Sequence, residues 1–152
     1  MSLLPDFRNI ERDTRENADY RRVVYTCPGK MQLVLMSLRT GENIPRETHA
    51  DVAQFVRVES GRGKAVVGRK TFQLSDGSSL IVPPGTPHYL ENNAKDGRPL
   101  RLYTIYTPEE HADGHIDRRQ PKPRNCGGKR KAQAVTRVAR TMGTRKSARL
   151  AK

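Results

Sequence analysis

Short stretches of alternating or continuous apolar residues follow one another along most of the chain. They lie at residues 22–26, 31–39, 52–59, 65–67, 71–74, 80–82, 88–91 and 100–106. Turns rich in Gly, Pro and Asn separate them, and helical periodicity is almost absent apart from one expected helical turn at residues 13–17. Many short strands of this kind predict an all-β sandwich or barrel.

The strongest strand candidate is residues 31–39. One of its faces carries Met31, Leu33 and Leu35, and the other carries Gln32, Val34 and Met36. Because both faces are largely apolar, the strand is expected inside a sandwich or barrel. An immunoglobulin-like sandwich is the alternative, but the chain has no Trp and no Cys pair of the kind that fixes that fold.

Residues 77–92, GSSLIVPPGTPHYLEN, keep fixed distances between their Gly, Pro, His and Asn positions. Gly77 ends an entry turn, an apolar strand follows, and Pro83 to Gly85 turn the chain sharply. His88 then opens a second strand. A histidine placed between a rigid corner and a strand is suited to a role in which its ring must point in one direction.

A second stretch, residues 41–61, holds Glu47, His49 and Gln54 between two glycines. The two stretches together resemble the two cupin motifs. The second motif, GxxxxxPxGxxHxxxN, matches at every defined position, whereas in the first Glu47 stands at the first His and Gln54 at the Glu. Over residues 9–123 the chain is similar to small single-domain cupins of the mannose-6-phosphate-isomerase-like group. The resemblance implies a cupin jelly-roll barrel of short antiparallel strands.

The resemblance also implies a site for one divalent metal ion. Glu47 and His49 share a face of an extended chain, and His88 comes from a different strand. Two imidazoles and a carboxylate suit Fe, Mn, Ni or Zn, with the amide oxygen of Gln54 as a fourth ligand. Since His49 and Gln54 are five residues apart, the chain must bend near residues 50–51 for both to face one ion. The alternative is a vestigial site that has lost its metal.

A metal-binding cupin of this kind would bind or transform a small oxygenated molecule. Whether it is an enzyme is left open by the residues; an enzyme here would be an isomerase or a dioxygenase-like cupin. His111 and His115 are expected in a loop near the barrel mouth rather than on a chelating helix. Tyr89, Tyr103 and Tyr106 are expected to be structural, with a place in the lining of the cavity as the alternative for one of them.

The net charge of +13 is unevenly distributed. Residues 118–152 hold 13 of the 29 basic side chains and no acidic ones, which leaves 29 − 13 = 16 basic and 16 acidic residues elsewhere. We therefore expect a lead-in packed on the barrel at residues 1–20, a cupin domain at 21–117 and a disordered basic tail at 118–152. The tail would associate with nucleic acid or act only as a solubilising segment. Its candidate phosphate-binding residues are Lys129, Arg130, Lys131, Arg145, Lys146 and Arg149.

No apolar run is long enough to span a bilayer, and the N-terminus lacks the apolar core of a signal peptide. Cys27 and Cys126 are lone thiols without metal-type spacing, which favours a reducing compartment. The sequence thus predicts an intracellular protein, in the cytoplasm or, because of the tail, in a nucleus or virion. The resemblance to cupins further implies a homodimer.

Overall fold

The computed structural model describes residues 4–122, and in that range the chain forms one short helix and ten strands. The bounds are α1 Ile10–Glu16, β1 Arg21–Cys27, β2 Met31–Leu38, β3 Asn43–Glu47, β4 Ala53–Ser60, β5 Gly63–Val67, β6 Lys70–Leu74, β7 Ser79–Val82, β8 His88–Glu91, β9 Leu100–Thr107 and β10 Ile116–Asp117. No helix in this range is long and apolar enough to cross a membrane.

The strands form two antiparallel sheets that face each other across one core. Sheet A has the order β10-β1-β2-β9-β4-β7, and sheet B has the order β3-β8-β5-β6. Strands next to each other in a sheet are often distant in the chain, as in β2 with β9 and β4 with β7. This arrangement confirms the predicted all-β class and the jelly roll of short antiparallel strands.

Three elements differ from the expectations. The sequence pattern gave no strand at β3, whose segment NIPRE is mostly polar and contains Pro45; it is a strand because it pairs with β8 at one edge of sheet B. The two-residue β10 exists only through its pairing with β1. The helix is also longer than the single turn expected and begins at Ile10.

Helix α1 starts at a well-formed cap. Asn9 has an extended backbone, and its side-chain oxygen accepts a hydrogen bond from the Arg12 N–H at 3.0 Å. The helix lies near β2, β4 and β9 of sheet A. Asp13 and Glu16 border a crevice that Leu35 also lines, and Leu35 is on the opposite face of β2 from the core residues Val34 and Met36. The helix therefore covers part of the outer face of sheet A.

The core between the sheets is apolar at one end and polar at the other. Along β2 the inward-facing side chains change from Gln32 at one end to Leu38 at the other. Along β9 they change from Leu100 to Tyr106. In the same way the first inward-facing residue of β4 is Gln54, which precedes Val56 and Val58, and β8 begins with His88 before Leu90. The apolar end includes Leu38, Ile44, Val58, Ala65, Leu74, Leu90, Leu100 and Leu102. The fold thus gathers the buried polar side chains at one place.

Of the predicted tail, residues 118–152, the structure describes residues 118–122. The side chain of Gln120 bonds to Asn43, accepting from its backbone N–H and donating to its side-chain oxygen, both at 3.2 Å. The basic residues Lys129, Arg130, Lys131, Arg145, Lys146 and Arg149 lie outside the described residues, as does Cys126.

Candidate metal centre

One row of interior side chains forms the floor of the polar end. Gln32 pairs with Tyr106 across β2 and β9, Tyr106 pairs with Gln54, and Gln54 pairs with Val82. Paired residues of antiparallel strands point to the same face, so these four lie side by side on the inner face of sheet A. Tyr106, Gln32 and Gln54 are each almost fully buried.

Sheet B supplies Glu47 and His88 from paired positions. Glu47 is the last residue of β3 and is opposite His88, the first residue of β8. The register between these strands shifts between Ile44 and Glu47, so the end of β3 is displaced from a regular ladder. His88 is 1% exposed, whereas 27% of the Glu47 side chain is exposed. The group is therefore reached by solvent from the Glu47 side.

His49 lies just beyond β3, and the expected break in the chain is present. Residues 50 and 51 form a bend before β4 begins at Ala53. The Gly85 N–H donates a 2.7 Å hydrogen bond to the His49 carbonyl, which ties the Pro83–Gly85 corner to the first motif. Gly85 adopts φ 72°, a left-handed conformation that a side chain would disfavour. The corner therefore fixes the backbone of His49 through this hydrogen bond, and it also leads directly into β8, which begins at His88.

Three side chains converge in this region. Oε1 of Glu47 lies 3.3 Å from Nε2 of His49 and 3.4 Å from Nε2 of His88. One donor atom from each residue falls within 4.8 Å of the other two. The imidazole centroids of His49 and His88 are 5.3 Å apart. Two Nε2 atoms and a carboxylate oxygen therefore surround a single point.

The tautomer of His88 is set by its backbone environment. Nδ1 of His88 is 3.0 Å from the Thr86 carbonyl oxygen, which can only accept, so in the neutral ring Nδ1 carries the proton and Nε2 carries a lone pair. Nε2 is buried and has no hydrogen-bond partner in the described part of the chain, because Glu47 contacts it at ionic distance without hydrogen-bond direction. Nε2 of His49 is buried and unpartnered in the same way.

The electrostatics of the group favour charge separation between carboxylate and imidazole. Burial opposes ionisation of Glu47, but the adjacent His88 and His49 outweigh it and lower the pKa of Glu47. Burial also opposes protonation of His88, but contacts with Glu47 and the Thr86 carbonyl outweigh it and raise the pKa of His88. A divalent cation would compete with the proton for the same lone pairs.

Gln54 lies on the floor of the same polar end. Its amide nitrogen donates to the Thr104 hydroxyl at 2.9 Å, which leaves its amide oxygen as the free end. That oxygen is buried and has no hydrogen-bond partner between residues 4 and 122. The structure thus gives Gln54 an unused oxygen donor, as a fourth ligand requires.

Sequence reasoning undervalued the loop after β9. The loop contains no helix, as expected, and its two histidines face different partners. His115 contacts Asp117 at 3.0 Å, whereas the ring of His111 packs edge-on against Tyr106 with centroids 5.1 Å apart. Tyr106 in turn contacts His49 at 6.1 Å between centroids. Burial lowers the pKa of His111 to about 4, so its ring is neutral near pH 7.

Gln32 is the other residue that the pattern did not single out. Its buried amide makes two hydrogen bonds to the backbone of the loop: it accepts from the His111 N–H at 3.0 Å and donates to the His111 carbonyl at 2.8 Å. It accepts at 3.4 Å from the Glu110 N–H as well. The available signal was a lone amide on the inward face of a strand that otherwise carries Val34 and Met36.

The final residue of the second motif serves the fold rather than the metal group. Asn92 is fully buried, and its amide nitrogen donates to the Leu38 and Arg98 carbonyls at 2.9 and 2.8 Å. Its side-chain oxygen accepts from the Ala94 N–H at 3.1 Å. Asn92 therefore joins the ends of β2 and β8 with the loop before β9.

The donor set fits a divalent transition metal. Two imidazole nitrogens, one carboxylate and one amide oxygen are the ligand types that Fe, Mn, Ni and Zn accept. Three of these atoms, Nε2 of His49, Nε2 of His88 and Oε1 of Gln54, are buried without a protein hydrogen-bond partner in the described residues. Buried polar atoms are usually satisfied, so these unpartnered atoms would be available to a cation held by the Glu47, His49 and His88 group.

Comparisons with known proteins agree with this architecture. The Cupin_2 model, described as "Cupin domain", matches residues 34–106. The chain is 40% identical over 124 residues to the uncharacterized protein L612 of Acanthamoeba polyphaga mimivirus, covering 80% of this chain and 76% of L612. It is also 40% identical over 115 residues to the uncharacterized protein YrkC of Bacillus subtilis, covering 71% of this chain and 60% of YrkC.

Among solved structures, BH2720 from Bacillus halodurans superimposes with a TM-score of 0.72 at 36% identity. The match covers 76% of this chain and 89% of BH2720. Both motifs, the two-sheet jelly roll and these relatives lead to one assignment: the chain belongs to the cupin family.

Proposed function

We propose that the protein is a metal-binding cupin that binds or transforms a small oxygenated molecule, with Glu47, His49, Gln54 and His88 as the metal ligands. The observation that supports this most is the pair of buried Nε2 atoms that flank Glu47 Oε1 at 3.3 and 3.4 Å. An ion there would satisfy atoms that the described protein groups leave unpartnered.

The residues around the ligands have separable roles in this proposal. A bound divalent metal would supply Lewis acidity toward an oxygen-containing ligand. The Thr86 carbonyl holds the tautomer of His88, and the Gly85 N–H holds the backbone of His49. Tyr106 and Val82 exclude water from the inner side, because both are nearly fully buried. The partly exposed Glu47 marks the side from which a ligand approaches.

Elemental analysis tests the proposal directly. Untagged protein, desalted without chelator, is compared with the His49→Ala/His88→Ala double variant. We expect near-stoichiometric metal in the native protein alone, and the element would narrow the choice between an isomerase and a dioxygenase-like reaction. No metal after reconstitution with Fe(II), Mn, Ni and Zn would overturn the proposal in favour of a vestigial site.

A second candidate function comes from the charge distribution. Residues 118–152 carry 13 basic and no acidic side chains, while the rest of the chain is balanced at 16 of each. We propose as the alternative that the cupin domain is a non-catalytic scaffold and that the basic segment associates with nucleic acid. Its candidate contacts are Lys129, Arg130, Lys131, Arg145, Lys146 and Arg149.

The salt dependence of DNA binding tests this alternative. If about six phosphates are neutralised, log affinity for a duplex should fall with log salt at a slope of about −5. A chain ending at residue 122 should lose the binding, and His49→Ala/His88→Ala should keep it. Equal binding by the full and shortened chains would exclude the segment as the contact.

We also propose that the protein forms a homodimer through the outer face of sheet A. An apolar row crosses five strands of this face in register, consisting of Tyr25, Leu33, Ile105, Phe55 and Ile81. Ile81 at its edge is 68% exposed. Sedimentation equilibrium should show a dimer that Ile81→Lys weakens and that Thr71→Lys, on the exposed strand β6, leaves intact.

A further inference from the structure

The imidazole of His49 has one contact that the metal group does not explain. Its Nδ1 lies 3.1 Å from Oε1 of Glu110, on the side of the ring away from Nε2. The His49 side chain is 11% exposed and that of Glu110 is 31% exposed. At that distance the carboxylate is within reach of an Nδ1–H, and it can only accept.

A proton held on Nδ1 fixes which nitrogen remains available. The neutral ring then carries its lone pair on Nε2, the atom that lies 3.3 Å from Glu47 Oε1. His88 reaches the same state through the Thr86 carbonyl. His49 lies beyond the end of β3, and the acceptor nearest its Nδ1 is a side chain from a distant loop. A hydrogen bond from Nδ1 to Glu110 would do for His49 what the Thr86 carbonyl does for His88.

The position of Glu110 is itself determined by a buried group. Gln32 is fully buried on β2, and it binds the Glu110 N–H and both backbone polar groups of His111. Its amide nitrogen also donates to the Thr26 hydroxyl at 2.9 Å, which fixes the orientation of the amide. An exposed loop residue is thus anchored to the core of sheet A, 78 residues away in sequence.

We propose that Glu110 is the positioning residue of His49, and that Gln32 holds Glu110 in place for this task. The proposal rests on the proposed metal-binding function but concerns a different group. Carboxylates that accept from the second nitrogen of a metal-binding histidine fix its tautomer and raise its basicity. Their removal costs about 10- to 100-fold in metal affinity.

The neighbouring Glu109 provides a matched control. It has the same charge and lies on the same loop, but its carboxylate accepts from the Gly29 N–H at 2.9 and 2.7 Å. The full-length protein is prepared as Glu110→Ala, Glu110→Gln and Glu109→Gln. Zn(II) affinity is measured by chelator competition, and thermal unfolding of each metal-free variant reports on folding.

We expect Glu110→Ala to weaken Zn(II) binding by about 10- to 100-fold. Glu110→Gln should weaken it less, because an amide oxygen can still accept from Nδ1, and Glu109→Gln should match the native protein. Equal Zn(II) affinity of native protein and Glu110→Ala within twofold would overturn the proposal. So would an equal loss in Glu109→Gln, which would indicate a general charge effect of the loop.

A second readout does not require metal. Long-range ¹⁵N–¹H correlation spectra report the tautomer of each histidine ring in the metal-free protein, at a pH above the imidazole titration range. We expect His49 to carry its proton on Nδ1 in the native protein and to shift toward Nε2–H in Glu110→Ala, with His88 unchanged. An unchanged His49 tautomer would overturn the positioning role. If native protein binds no metal, the proposed function fails while this experiment still decides the role of Glu110.

Discussion

The two ends of the same strands have opposite characters. On β2, β9 and β8, Leu38, Leu100 and Leu90 fill one end with hydrocarbon, and Gln32, Tyr106 and His88 stand at the other. The apolar end gains stability from burial alone. The polar end buries four side-chain atoms without protein hydrogen-bond partners in the described range: Nε2 of His49, His88 and His111, and Oε1 of Gln54. The apolar core and the candidate metal ligands therefore lie at opposite ends of the space between the sheets.

The separation predicts that the two ends respond differently to mutation. Changes at the apolar end should lower the free energy of unfolding whether or not metal is present. Changes at the polar end should leave the metal-free protein nearly as stable and remove the stabilisation that metal provides.

The largest effect is expected from Leu102→Ala. Leu102 is fully buried, and removing its side chain should lower the free energy of unfolding by about 2–5 kcal/mol through lost burial and a residual cavity. Urea denaturation measures this, and Leu102→Met should cost less than about 1.5 kcal/mol. A small loss in Leu102→Ala would mean that the apolar end is less tightly packed than the structure shows.

His88→Ala should act mainly on the metal-bound state. Native protein should gain about 2.7 kcal/mol of stability at a metal concentration one hundred times its Kd, and the variant should gain none. Thermal unfolding with and without Zn(II) measures both gains. If native protein and variant were stabilised equally, the metal would be bound elsewhere on the chain.

Acidification should lower the free energy of unfolding through protonation of His111. Its pKa in the fold, about 4, lies below the ordinary 6.5, so the unfolded chain takes up a proton that the folded chain refuses. Stability from a neutral His111 is therefore present above pH 6.5 and is lost as pH falls toward about 4. The loss relative to His111→Gln should be about 1–2 kcal/mol, reduced because the ring is only partly buried. Urea denaturation of the native protein and of His111→Gln measures this loss. If their free energies of unfolding changed in parallel with pH, the prediction for His111 would be wrong.

Gln54→Met should give the smallest change in the metal-free protein. The substitution keeps the volume and removes an unpartnered buried amide oxygen, but it also removes the amide donor to the buried Thr104 hydroxyl, so the free energy of unfolding should fall by about 1 kcal/mol. Zn(II) affinity should nevertheless fall, because the fourth oxygen donor is lost. An unchanged affinity in chelator competition would exclude Gln54 from the ligand set.

Much of the fold could be predicted from local patterns. The strands with β-branched or alternating apolar residues, such as β2 and β9, occur where they were expected. The missed strand β3 has a polar sequence, and its pairing with β8 rather than its own residues makes it a strand. The bend at residues 50–51 was predictable, because the five-residue spacing from His49 to Gln54 cannot face one point in a regular strand.

The candidate site likewise contains residues that the sequence indicated and contacts that only the tertiary structure shows. By itself the sequence determined which residues lie at the corner and at the strand start, because turn residues and short spacings act locally. Together with the resemblance to the two cupin motifs, these local signals predicted the jelly roll and named Glu47, His49, Gln54 and His88 as candidate ligands. The tertiary structure alone decided that Gln32 holds Glu110 and that Glu110 meets His49. These contacts join residues 61 to 78 positions apart, and no local pattern specifies such a pairing; it exists only after two sheets have packed and brought the loop after β9 over the polar end.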